Sequence, residues 1–108
     1  MTIQIKIIVP TLVMIATQIF PIYSVEAQSK IKEEIISRCR TDMGEYGSAM
    51  VKACADMDIE AAVALNKVPE KYNFIVSRCL KDMREYGYAM VKACVDMDIE
   101  AEEALADY

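Results

Sequence analysis

One stretch of this chain is written twice. Residues 37–65 and 77–105 align at a constant offset of 40, with 22 of 29 positions identical, including Ser-Arg-Cys, Glu-Tyr-Gly, Ala-Met-Val-Lys-Ala-Cys and Asp-Met-Asp-Ile-Glu-Ala. Duplication at this fidelity means one structural unit used twice, so any fold proposed for the first copy must also suit the second. Gly44 stands against Arg84 and Ser48 against Tyr88, so neither glycine nor a small polar residue is required at those places. Asn66 and Pro69 lie between the copies. Proline lacks the amide hydrogen a helix interior needs, and Asn66 suits a helix C-terminus, so the chain breaks here.

Within each copy the apolar residues recur at helical spacing. Ile31, Ile35, Ile36, Cys39 and Met43 begin the first copy, and Tyr72, Ile75, Val76, Cys79, Leu80 and Met83 begin the second. Met50, Ala53, Cys54, Met57, Ala61, Ala64 and Leu65 then form a stripe that Met90, Ala93, Cys94, Met97, Ala101, Ala104 and Leu105 repeat. No alternating β-branched run occurs after residue 27, and the fold class is all-α.

The same helices admit two architectures, and Gly47 and Gly87 divide them. If each glycine is a left-handed cap after a helix end, each copy is a helical hairpin and Cys39 pairs with Cys54, Cys79 with Cys94. A continuous helix forbids that pairing, because 15 residues would hold the thiols roughly 22 Å apart. If the stripe runs through the glycine, residues 36, 43, 50, 57 and 64 keep a seven-residue period. The chain is then one long antiparallel hairpin with Cys54–Cys79 and Cys39–Cys94 rungs. The expected fold is two tandem disulfide-stapled hairpins, residues 28–66 and 70–108, with the long hairpin as the alternative. A duplicated unit carrying its own cross-link can fold alone, and closing a 15-residue loop contributes about 3 kcal/mol.

The N-terminus bears on where the chain works. Lys6 precedes a mostly apolar run from 7 to 20, too short to span a bilayer comfortably, and Val25-Glu26-Ala27 has the small residues of a cleavage site. Residues 1–27 therefore read as a signal peptide, and the expected location is periplasmic or secreted. All four cysteines lie beyond residue 27, and an even count in a short exported chain points to disulfides. Residues 1–27 contain one lysine and one glutamate, so the remainder keeps the net charge of −5. Such an acidic, mixed surface argues against nucleic acid or anionic membrane as partner. A protein partner is expected, and pairing into a homodimer is left open.

Candidate chemistry is sparse. With no histidine, the commonest general base and zinc ligand are missing, and a Ser-His triad is excluded. Asp56, Asp58 and Glu60, repeated as Asp96, Asp98 and Glu100, alternate like a calcium loop but lack its glycine and distal glutamate, and read as a solvated acidic face. Met50, Cys54 and Met57, with Cys39 and Met43 nearby, form a soft-ligand set that would suit Cu(I). The plainer reading makes the methionines a packing seam and the cysteines disulfides. No C-x-x-C motif suggests a thiol oxidoreductase. Tyr46 and Tyr86, beside the glycines, are candidate partner contacts if the hairpin tips are exposed, and core residues in the long-hairpin alternative. No catalytic residue, cofactor or metal site is assigned, and the chain is expected not to be an enzyme.

The string Arg-Cys-x3-Met-x-Glu-Tyr-Gly-x2-Met-Val-Lys-Ala-Cys-x-Asp-x-Asp-Ile-Glu-Ala, at residues 38–61 and slightly altered at 78–101, resembles a motif of small exported bacterial proteins of unassigned function. That resemblance implies a bacterial envelope or extracellular setting, and no activity. The functional expectation is a non-enzymatic helical interaction protein; a Cys/Met soft-metal binder and a secreted effector are the alternatives.

Overall fold

The computed structural model describes residues 25–108. The signal-peptide reading falls almost wholly on residues outside that range. Four helices make up the described chain: α1 (Val25–Met43), α2 (Ser48–Leu65), α3 (Asn73–Met83) and α4 (Tyr88–Leu105). Residues from Ile31 onward form one packed unit, while Val25 to Lys30 supply the first turns of α1.

Each copy is a helical hairpin, and the glycines decide it. α1 and α3 each tighten into a short 3-10 turn, Gly44–Tyr46 and Arg84–Tyr86, and the chain then passes through Gly47 at φ 101°, ψ 164° and Gly87 at φ 104°, ψ 161°. That conformation is almost closed to residues bearing a Cβ. The positive φ fits the glycine cap expected from the sequence, but ψ lies outside the left-handed helical region: each glycine closes the 3-10 turn before it and is also the N-cap of the helix that follows. Cys39–Cys54 and Cys79–Cys94 close the two hairpins, each with Cα atoms 5.8 Å apart, an ordinary separation for a disulfide. α2 stops at Leu65 with Asn66 as its C-cap, and Pro69 precedes the next turn, as the break between copies required.

The core forms two clusters. Ile35 and Cys39 of α1 pack on Val51, Ala55, Ala61 and Ala62 of α2, and Tyr72, Ile75 and Cys79 pack on Val91 and Val95 of α4. Neither cluster is self-contained. Tyr88 of the second copy is buried in the first cluster, Leu65 packs against both, and α2 lies along α4.

The buried face of α2 and α4 departs from the expected stripe. Val51, Ala55, Asp58, Ala61 and Ala62 face inward, whereas Met50, Met57, Met90 and Met97 are exposed. The seven-residue period does not survive the turn, since Gly47 restarts the helix in a new phase. These four methionines therefore fill no packing seam, whereas Met43 and Met83 do pack against the two clusters.

Candidate protein-binding surface

Two groups of side chains stand out, one that fixes the copies to each other and one that faces outward. The first is built on Asp58, about one turn beyond Cys54, the α2 half of the disulfide. Its side chain is 5% exposed, and one carboxylate oxygen accepts from the Tyr88 amide at 3.1 Å while the other accepts from the Ala89 amide at 3.1 Å. These are the first amides of α4, which have no partner within the helix, so Asp58 caps α4 from the other copy and meets the positive end of its dipole. Arg38 donates to the same carboxylate at 2.5 Å and to Asp42 at 2.8 Å, and its guanidinium lies 3.7 Å from both sulfurs of the Cys39–Cys54 bond.

Gly87 completes this latch. A methyl group there would sit 2.6 Å from the Arg38 guanidinium and 2.7 Å from the Asp58 carboxylate. Arg84 adds a surface pair, donating to both Glu34 oxygens at 3.1 and 3.3 Å; that hydrogen bond, with Tyr88 nearby, raises the arginine's pKa.

Asp58 is the residue that sequence reasoning missed. Read among Asp56 and Glu60, it passes for one of a solvated set, and its neighbours do behave so: Asp56 is exposed and takes a hydrogen bond from Lys52, which raises the lysine's pKa. The one available signal was that Asp58 falls on the phase of Val51, Ala55 and Ala62 rather than on that of the methionines.

The second group covers the outer sides of α2 and α4. Tyr46 and Tyr86 are both more than half exposed at the hairpin tips. Met50 and Met57 share a face of α2, and Met90 and Met97 the matching face of α4; Met57 is 63% exposed and Met97 69%. Between α2 and α4 runs an open groove of about 450 Å³, with Ala61 and Ala64 on one wall, Ala89 and Ala93 on the other and Met57 at its edge. Glu60, Lys92 and Asp96 supply its charged rim. Ala93 shares its face of α4 with Met90 and Met97, so the apolar surface continues beyond the groove.

No family model, curated protein or solved structure matches this chain. The surface must therefore be read from its own chemistry. Small residues let another backbone approach closely, and thioethers adapt to irregular apolar shapes. Both are properties of a groove that receives a helix. Among the described residues no cluster of three or more His, Cys, Asp or Glu is arranged to hold a metal, and all four cysteines are in disulfides, which leaves no thiolate for Cu(I). No described helix is long and apolar enough to cross a membrane. The two disulfides point to an oxidising, extracytoplasmic setting.

Proposed function

We propose that this chain is a non-enzymatic interaction protein of the periplasm or extracellular space. It offers the groove between α2 and α4, with the exposed tyrosines and methionines beside it, to an amphipathic helix of a protein partner. The observation that carries the reading is the exposure of four methionines and two tyrosines at matching positions of a cross-linked scaffold. Apolar side chains of that size gain about 1.5–3 kcal/mol each when fully buried, and in the free protein these remain in water. A rigid scaffold binds without first having to order itself. The signal-peptide reading of residues 1–27 and the motif's resemblance to exported bacterial proteins support the location.

Photo-crosslinking tests this directly. Methionine is replaced by its diazirine analogue in cells that make the chain, and adducts are mapped after irradiation. Adducts to another protein through Met57 and Met97 are expected, with at least tenfold less adduct when Met57→Glu and Met97→Glu are combined and the remaining methionines carry the label. Failure to find adducts at these positions, or no effect of the glutamates on labelling at Met50 and Met90, would remove the reading.

A further inference from the structure

The seven positions at which the copies differ are concentrated where the copies meet. Ala62 and Tyr88 are buried in the first cluster, Leu80 packs against both clusters, and Arg84 holds Glu34. Their counterparts, Glu102, Ser48, Arg40 and Gly44, are all exposed.

The junction itself is asymmetric. The side of the first copy that delivers Asp58 meets the side of the second that holds Gly87, so each copy keeps one unused side. Arg78 and Asp98 are paired on the unused side of the second copy, with the Asp98 side chain 38% exposed. Gly47 on the first copy holds the backbone angles of Gly87, and among the described residues no side chain caps the helix that begins at Ser48. The latch residues are thus intact on both unused sides. A head-to-tail contact of this kind, left open, adds copies without limit.

The residues around the latch are what differ. Ser48 lacks the aromatic ring that Tyr88 buries, Arg40 places a charge where Leu80 packs, and Glu102 would bring a carboxylate to a position where Ala62 sits among apolar neighbours. Polar outer faces at the ends of repeat stacks act in this way.

We infer that Arg40, Ser48 and Glu102 seal the two outward sides against a second copy of this chain, so that the junction forms once within the chain and does not propagate between chains. The sealing is independent of the groove between α2 and α4 and does not rest on the proposed function. Those three side chains set partner choice at these sides; the Arg78–Asp98 pair and Gly47 remain a competent latch beneath them.

Sedimentation velocity on the full chain, purified with both disulfides formed, tests the inference across the widest accessible concentration range. The natural sequence should sediment as one chain at every concentration. The variant Arg40→Leu, Ser48→Tyr, Glu102→Ala, which copies the inner residues outward, should rise with concentration to two chains and beyond, and adding Asp98→Asn should return it to one. The double variant Ser48→Tyr, Glu102→Ala, which keeps the Arg40 charge, should associate in the same Asp98-dependent way but only at higher concentration than the triple variant, and serves if the triple variant does not fold. Self-association of the natural sequence would overturn the inference, as would folded variants that stay single or whose association ignores Asp98→Asn.

Discussion

Identical residues in the two copies do different work, which makes Asp58 and Asp98 a controlled pair. Both accept an arginine of their own hairpin, but only Asp58 also caps a helix and is buried. Asp58→Ala leaves two helix amides and a partly buried guanidinium without their acceptor, and should cost about 2–4 kcal/mol in chemical denaturation. Asp98→Ala removes a half-exposed pair and should cost less than about 1 kcal/mol. Equal losses would mean that Asp58 does not cap α4. The glycines form a second pair. Gly47→Ala meets only the cost of its backbone angles, about 1–3 kcal/mol, because a methyl group there has open space around it. Gly87→Ala meets the same cost and also strikes Arg38 and Asp58, so it should be the more destabilising of the two by urea melts, and the only one to disturb the latch.

At the scale of elements, the helices were legible and their inward faces were not. Apolar spacing located all four, and Asn66 and Pro69 marked the break between copies. The hairpin reading followed from two glycines and a spacing of 15 between cysteines, but symmetry of the repeat made nested pairing look equally regular. What the sequence could not show was helix phase. Side-chain chemistry favours methionine over alanine or aspartate for a core, whereas the phase set by Gly47 and the disulfide places Ala55 and Asp58 inside and Met57 outside. With alanines so prominent in the first cluster, burial alone supplies little, and each disulfide contributes about 3 kcal/mol by restricting the unfolded chain. Reduction of both should therefore remove about 6 kcal/mol, comparable to the whole stability of a small domain, and far-ultraviolet circular dichroism should show helix lost on adding reductant at room temperature. Full retention of helix in the reduced chain would contradict this.

For the molecule as a whole, the two copies behave as one body because their clusters interlock through Tyr88 and Leu65 and the latch spans them. The Glu34–Arg84 pair at the same junction is about half exposed on both sides, and Glu34→Gln should cost less than about 1 kcal/mol, an amount that added salt diminishes. The candidate surface was not legible in the sequence: the lack of histidine argued against some chemistries, but the proposed binding surface depends on which side of α2 faces out, and that required the fold. The exposed tyrosines and methionines, the latch and the sealed outer sides all follow from each copy closing on itself at its glycine. Tryptic mapping without reductant addresses that closure, since cuts after Arg38, Arg40, Lys52, Lys67, Arg78, Lys81 and Lys92 put every cysteine in its own peptide. The fold described here requires Cys39 linked to Cys54 and Cys79 linked to Cys94; a peptide joining Cys54 to Cys79 would instead mean one long hairpin, with the methionines turned inward and no groove to offer.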